Sequence, residues 1–243
     1  LRYGFVMDYF HPDFKKYVLI TLPFMLGLTV TFSTEILMKF FGSFLAPGHI
    51  AAMNYAVRIM FILVGFFGQA IGMASYPFMA QIAATGDMDR LNAVINQTLK
   101  FIFLVIPFSV LFIVLRHEIV MLLFQRGEFD AAATRTTAGI LPFFMAGAFA
   151  FSAQTFVARG FYALENTLFP ALVSTGCMLA GLPVIYLCMQ VLGPQGIALG
   201  LSLTVMFSAF ALFASWNKKS KNTGKNLVYL FLLKLMVVSM FMG

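Results

Sequence analysis

The sequence predicts an all-α membrane protein, a polytopic bundle of about seven transmembrane helices. Two observations carry this prediction. Of the 243 residues, 61% are hydrophobic and only 10% are charged, and the mean hydropathy is +0.91. A soluble domain is typically about 45–50% apolar and about 25% charged. With nine acidic residues in the whole chain, a soluble fold would have too few charges to cover its surface.

Seven apolar segments along the chain predict seven membrane-spanning helices. Each is near the roughly 20 residues that a helix needs to cross a bilayer, and short polar turns separate them. The second and fourth segments are longer than one crossing requires, so we expect them to tilt, kink or project beyond the bilayer. The predicted spans are residues 17–46, 49–84, 90–115, 131–163, 167–191, 195–216 and 226–243.

One further helix is predicted between the third and fourth spans. In "RHEIVMLLFQRGEFD" the apolar part is too short to cross a bilayer, which indicates an interfacial amphipathic helix near residues 117–125. Asp130 follows it and is the expected N-cap of the fourth span.

The chain therefore divides into four predicted regions. The central region, residues 17–216, is a six-helix C-terminal lobe that includes the interfacial helix. It is preceded by a cytoplasmic or interfacial lead-in over residues 1–16, and followed by a basic cytoplasmic loop over 217–225 and a truncated further transmembrane helix over 226–243. Because the first residue is Leu and the last apolar segment stops abruptly at Gly243, we expect a fragment of a longer chain.

The basic residues predict which side is cytoplasmic. Alternating the spans places only Arg116, Arg126 and Arg135 on the side opposite the N-terminal tail. Since positive residues collect on the cytoplasmic side, the tail and the 217–225 loop are predicted to be cytoplasmic. The basic residues assigned to that side are Arg2, Lys15, Lys16, Arg90, Lys100, Arg159, Lys218, Lys219, Lys221 and Lys225.

Proline and small residues indicate how the helices bend and pack. Five prolines inside the spans together favour bent, movable helices, although membrane helices carry more proline in general. Gly68-x-x-x-Gly72 and Gly196-x-x-x-Gly200 have the spacing of close helix–helix contacts. Cys177 and Cys188 lie about 16 Å apart along one helix, too far for a disulfide. The prolines are Pro23, Pro77, Pro107, Pro142 and Pro183.

Glu35, Lys39 and Arg58 are ionisable residues well inside predicted spans. Charges at such depth cost at least about 2.5–3.5 kcal/mol, so they normally face a partner or water. Glu35 and Lys39 are four residues apart and share a helix face, which favours a self-neutralising pair.

Arg58 has no acid within one turn of its own helix. Asn54 and Gln69 are predicted to lie near the same helical face, together with small residues, in a pattern that fits the lining of a cavity. Two interpretations stay open for Arg58: it pairs with Glu35 across the helix boundary, or it presents its planar fork of donors to an anion such as phosphate.

No catalytic centre, cofactor or metal site is predicted. His11, His49 and His117 lie at predicted membrane boundaries, and no hydrolase, metalloprotease or nucleotide-binding motif is present. The basic cluster "NKKSKNTGK" lacks the interleaved aromatic residues of a nucleic-acid binder, so no nucleic-acid partner is expected.

Three strings of the sequence are similar to one known family. They are "FGSFLAPGHIAAMNYAVRIMFILVGFFGQAIGMASYPFMAQIAATGDMDRLN", "LLFQRGEFDAAAT" and "VARGFYALENTLFP", and they resemble the MurJ (MviN) family of lipid II flippases, in the multidrug/oligosaccharidyl-lipid/polysaccharide exporter superfamily. The resemblance covers nearly the whole chain and corresponds to the second six-helix lobe plus the start of a further helix.

The resemblance implies a membrane transporter and not an enzyme. Such flippases place two six-helix lobes around a central cavity in the bacterial inner membrane and move the lipid-linked precursor of peptidoglycan by alternating access. The implied partners are lipid II or a similar polyprenyl-diphosphate-linked substrate, membrane lipid, and the missing N-terminal lobe of the same chain.

The resemblance also implies a role for single residues. "NYAVR" places Arg58 on a family cavity arginine, in the motif YYADR, that is implicated in binding the substrate's diphosphate. Arg159 resembles a family arginine near the cytoplasmic mouth, although snorkelling toward the interface explains it at least as well. The candidate substrate-binding residues are Arg58, Asn54, Gln69, Glu35, Lys39 and Arg159.

The sequence departs from the family pattern at several positions. Val57 stands where the motif commonly has Asp. Met38 is aligned with an Asp of a proposed sodium site, and Met178 and Leu182 replace asparagines. A sodium site built from this lobe is therefore not expected.

Other functions remain open from the sequence. Within transport, the cargo could be another polyprenyl-linked oligosaccharide or a cationic drug, and an unpaired Glu35 would favour the drug. A non-transporting scaffold would pair Glu35 with Arg58 in a collapsed cavity. A membrane transferase would place an acid or a histidine beside Arg58.

Overall fold

The computed structural model describes residues 34–240, together with Phe14 and Thr21, and its described part is helical without strands. This confirms the all-α prediction. A first helix, α1, covers residues 34–42 of this part. The remaining elements are α2 (His49–Leu63), a π-helical segment (Val64–Ala70), α3 (Ile71–Thr85), α4 (Met88–Ile102), α5 (Val105–Val114), α6 (Arg116–Phe124), α7 (Ala131–Ala163), α8 (Leu168–Leu192), α9 (Pro194–Lys219) and α10 (Lys225–Met240).

Five stretches of the described chain are long and apolar enough to cross a membrane. Each begins and ends within a few residues of a predicted span. The first predicted span lies mostly outside the described residues, and α10 has 16 described residues. The five stretches are His49–Thr85, Met88–Val114, Ala131–Ala163, Leu168–Leu192 and Pro194–Lys219.

Local side-chain contacts explain where two helices begin. The Asp130 carboxylate accepts hydrogen bonds from the backbone N–H groups of Ala132 and Ala133, at 3.0 and 2.8 Å, which confirms it as the N-cap of α7. The predicted helix near 117–125 is α6. At α4, the Asp87 carboxylate accepts from the backbone N–H of Arg90 at 2.9 Å. Both caps satisfy amides that a helix start leaves unpaired.

Two predicted spans are interrupted. The span at 90–115 breaks between α4 and α5 because Pro107 has no N–H to donate to the carbonyl of Phe103. That carbonyl accepts from the backbone N–H of Ile106 at 3.0 Å instead. The long second span contains the π-helical segment, which the sequence did not predict. By contrast, α7 and α8 run without a break through Pro142 and Pro183.

The helix α7 is the centre of the bundle and packs against α2, α9 and several shorter elements, while α8 packs mainly on α9. Both predicted glycine pairs are close contacts. A Cβ on Gly196 or Gly200 would overlap the backbone of α8, and one on Gly68 would lie 2.8 Å from the Cα atom of Ser152 in α7. Small residues let helix backbones approach in this way. The two cysteines are free.

A group of hydrogen-bonded asparagines attaches α10 to the bundle. Asn222, in the loop before α10, exchanges hydrogen bonds with Asn96 of α4 at 2.9 and 2.8 Å. Asn92 of α4 accepts from the indole N–H of Trp216 at 3.0 Å and donates to the carbonyl of Ser220 at 3.1 Å. We call this group the asparagine clasp. It fixes the start of α10 beside the middle of α4.

Candidate functional site

A hollow of about 250 Å³ lies inside the bundle. The helices α1 and α2 and the π-helical segment form one wall, and α7, α8 and α9 form the other. Phe61, Phe151 and Leu201 give the hollow an apolar part. Its polar lining comprises Thr34, Gln69, Gln154, Thr155, Arg159, Tyr162, Ser174, Thr204 and Ser208. Arg159 is the one charged residue among these described lining residues.

Arg159 reaches across the hollow from α7 to the π-helical segment. Its guanidinium donates to the side-chain carbonyl of Gln69 at 2.5 Å, and to the backbone carbonyls of Gln69 and Gly68 at 3.2 and 3.4 Å. Gly72 makes room for this arrangement, because a Cβ there would overlap the Nη1 atom of Arg159. All three acceptors are neutral, so the positive charge of Arg159 is not compensated by any described acid.

The π-helical segment supplies all three of these acceptors. In a π-helix each carbonyl bonds an N–H five residues ahead, and such segments are frequent at functional sites. The wider turn also changes the phase of the helix beyond Leu63. Gln69 therefore lines the hollow, whereas Arg58 does not, although an uninterrupted α-helix would have placed the two on one face.

Polar residues of α7 that the sequence did not single out complete the hollow. The side-chain N–H groups of Gln154 donate to the hydroxyls of Ser174 in α8 and Ser208 in α9, at 3.1 and 3.0 Å. The signal was present in the sequence. Residues 151, 154, 155, 158, 159 and 162 follow the helical repeat of one face, and four of them are polar.

Glu35 and Lys39 form the ion pair expected from their spacing. The Lys39 ammonium lies 2.6 Å from the Glu35 carboxylate, and both side chains are more than half exposed. They lie on the outer side of α1, whereas Thr34 and Leu37 of the same helix line the hollow. The pair therefore lies next to the hollow but outside it.

Arg58 is exposed on α2. Its guanidinium lies 5.8 Å from the ring centre of Tyr55, within range of a cation–π contact, and it makes no hydrogen bond or ion pair with any residue in the described part of the chain. Glu35 attracts it through space but is bonded to Lys39. Phe61, one turn along α2, lines the hollow, so Arg58 lies at its edge. Asn54, one turn earlier, is half-buried.

The residues aligned with the proposed sodium site do not suit a hard cation. Met38 is 1% exposed within the core, and Met178 lines the hollow. Thioether and alkyl side chains supply none of the oxygen ligands that such ions require. The nearby Thr204 hydroxyl donates to the carbonyl of Gly200 at 2.8 Å. Among the described residues there is also no group of three His, Cys, Asp or Glu side chains that could hold a metal ion.

Comparison with known proteins gives one consistent family. Residues 4–243 match the family described as "Lipid II flippase MurJ". A "Probable lipid II flippase MurJ" from Rhizobium tropici is 29% identical over 207 residues, covering 85% of this chain and 39% of the relative. A protein of the same description from Helicobacter pylori strain J99 is 28% identical over 227 residues, covering 90% of this chain and 49% of the relative.

A solved structure shows the same fold. The chain described as "Lipid II flippase MurJ, inward closed conformation" matches with a TM-score of 0.74 at 20% sequence identity. The match covers 98% of this chain and 55% of that chain. The present chain thus spans about two fifths to half of the length of these relatives.

Proposed function

The chain belongs to the lipid II flippase MurJ family, an inner-membrane transporter family and not an enzyme family, and on that premise we propose that it works as part of a flippase for lipid II. The cargo in this proposal is a polyprenyl-diphosphate-linked peptidoglycan precursor, moved across the cytoplasmic membrane by alternating access. A second six-helix lobe of the same polypeptide faces the hollow, and the two lobes rock about the space between them.

The observation that carries the proposal is the exposed Arg58 guanidinium, which has no described carboxylate partner. A guanidinium held inside a membrane protein without an acid beside it attracts an anion, and its planar fork matches the oxygens of a diphosphate. Glu35, the acid that could have neutralised it, is bonded to Lys39 at 2.6 Å instead. We assign Arg58 the role of holding the diphosphate, with Asn54 beside it.

Arg159 and Gln69 have a second role in this proposal. Because the acceptors of Arg159 are neutral, a phosphate entering the hollow competes well for its donors, since it adds the attraction between two opposite charges to the hydrogen bonds. The neutral polar wall formed by Gln154, Ser174 and Ser208 suits the hydroxyl and amide groups of a sugar–peptide headgroup. Glu35 and Lys39 adjust the charge at the edge of the hollow.

The lipid tail is assigned to the membrane or to the region around α10. A second hollow of about 170 Å³ lies between α10 and the bundle and is almost entirely apolar, with Phe103, Phe149, Phe213 and Leu232 among its lining residues. An apolar groove beside the lobe would leave a polyprenyl chain in a lipid-like environment while the headgroup crosses.

The pairing of Glu35 weakens two of the alternatives. A cationic-drug exporter would favour an unpaired Glu35, and a collapsed scaffold would pair Glu35 with Arg58. Neither arrangement is present among the described residues. In the orientation that we propose, the N-terminal side and the 217–225 loop are cytoplasmic, as the distribution of lysine and arginine predicts.

The test replaces Arg58 in the full-length protein. We expect Arg58→Ala to abolish rescue of a flippase-depleted cell while membrane levels stay normal, and Arg58→Lys to rescue partly, because it keeps the charge and loses the fork. Ile62→Ala, one turn along the same exposed side of α2, is the matched control and should rescue fully. The direct readout is the amount of lipid-linked precursor accessible at the outer face. Undiminished growth and export with Arg58→Ala would contradict the diphosphate role.

A further inference from the structure

Lys234 is a charged residue in the middle of α10 for which the sequence-based predictions gave no role. It is exposed, and it makes no hydrogen bond or ion pair with any residue in the described part of the chain. The side of α10 that carries Val228 and Leu232 faces the bundle, where Val228 is 1% exposed. Lys234 points away from that side, so the described residues of the bundle do not neutralise it.

The asparagine clasp fixes the depth of Lys234. Asn222 and Gly224, just before α10, contact Asn96 of α4, and the apolar part of the α4–α5 span begins after Lys100, four residues further along. Lys234 is ten residues beyond Gly224, or about 15 Å along a helix, and therefore about 9 Å beyond the level of Lys100. Since the hydrocarbon core is about 30 Å thick, Lys234 lies within it.

The residues around Lys234 form an apolar surface. We name this surface the outer stripe of α10. Because an exposed lysine within the hydrocarbon core is costly, such residues normally face a partner of opposite charge or water. The other members of the outer stripe are Leu227, Leu230, Val237 and Val238, between 47% and 61% exposed.

We propose that a transmembrane helix from the rest of the polypeptide packs on the outer stripe of α10 and places a carboxylate against Lys234. Charge complementarity requires the acid, and the apolar neighbours of Lys234 require a helix that is otherwise hydrophobic. The partner helix can come from the same polypeptide, because this chain covers only 39% and 49% of the length of the two relatives described above. The outer stripe is therefore an interface within the complete protein and not a surface facing lipid.

The proposal is tested by photo-cross-linking in the full-length protein. A photoreactive amino acid at position 234 should give an intramolecular cross-link to a helix outside residues 34–240. The matched control is position 232, because Leu232 lines the apolar hollow between α10 and the bundle, on the opposite side of the helix from Lys234. It should cross-link to the bundle within residues 34–240 and not to that helix. Cross-links from position 234 to lipid alone, or to a different protein, would overturn the proposal.

Substitution of Lys234 gives an independent measurement. Lys234→Leu leaves the partner carboxylate unpaired, so we expect the unfolding equilibrium constant to rise about a hundredfold. If Lys234 instead snorkelled to the headgroups from a lipid-facing site, leucine would leave that constant unchanged or lower it, and the proposal would fail. If Lys234→Glu does not accumulate, an Asp or Glu to Lys change in the cross-linked helix should restore its level. The absence of any such restoring change would also contradict the pairing.

Discussion

Replacing Gly72 by alanine moves the Arg159 guanidinium without removing its charge. The added Cβ would overlap the Nη1 atom of Arg159. The obstructing atom is the far end of a flexible side chain, so the backbone can stay in place while the guanidinium swings into the hollow. The substitution therefore removes the contact between Arg159 and the π-helical segment but keeps an arginine in the site.

The size of the effect follows from the bonds that are lost. Two of the three hydrogen bonds from Arg159, to the side chain and the backbone carbonyl of Gln69, have donor–acceptor distances of no more than 3.2 Å. Hydrogen bonds of a charged group contribute roughly 1.5–3 kcal/mol each, and about half of this returns when the half-buried group is resolvated. Replacing glycine by alanine in a helix gains up to about 1 kcal/mol. The net loss is about 0.5–2 kcal/mol.

The assay is denaturant unfolding of the purified full-length protein, with Gly65→Ala as the matched control. A Cβ at Gly65 meets no atom within 4 Å, so this variant should be neutral or slightly more stable. In an Arg159→Ala background, Gly72→Ala should cost nothing, because the atom that it displaces is gone. An equal loss with and without Arg159 would refute the reasoning, since the strain would then lie in the backbone.

Three further experiments test the fold and the orientation. Asn222→Leu should lower the free energy of unfolding by about 2–4 kcal/mol, because buried partners in the asparagine clasp lose their hydrogen bonds. The control is Gln97→Ala, at an exposed position of α4. Equal effects of the two substitutions would argue against the clasp. Asp130→Ala should cost about 1 kcal/mol through loss of the α7 cap, measured against Glu128→Ala, and the absence of a difference would contradict the capping role. In a variant without Cys177 and Cys188, a cysteine replacing Lys218 should react with an impermeant reagent only from the cytoplasm, and one replacing Glu128 only from outside; the reverse pattern would overturn the proposed orientation.

The bilayer explains why the span boundaries could be predicted so closely. Its thickness sets the length of each helix, and its apolarity forces polar residues to the ends, so hydropathy alone placed five spans within a few residues. Contacts within one helix were equally predictable. The Glu35–Lys39 pair and the Asp130 cap depend only on spacing along a helix, which the sequence states directly.

The hollow could not be predicted, because it depends on the phase between helices. Extrapolation along an α-helix placed Arg58 and Gln69 on one face, but the π-helical segment rotates everything after Leu63. Gln154 was not singled out for a different reason. It lies on a face of a 33-residue helix that also carries Thr155 and Arg159, and only the contacts of that face with α8, α9 and the π-helical segment distinguish a cavity wall from a set of buried hydrogen bonds.

Together, Arg58 and Arg159 restrict the chemical class of the cargo more than either arginine does alone. Arg159 is bonded only to neutral oxygens, and Arg58 has no described hydrogen-bond or ion-pair partner. Had both been paired with carboxylates, the site would be electrically neutral and an anion would have to displace an acid. As it stands, the described part of the hollow and its edge carry uncompensated positive charge in a low-dielectric environment, where a charge is felt strongly. An anionic headgroup with several phosphate oxygens is the ligand that benefits most.

If both arginines contact one diphosphate, the combined loss from Arg58→Ala and Arg159→Ala in binding to a polyprenyl diphosphate should differ from the sum of the single losses. Strict additivity would place the two guanidiniums at separate steps of transport.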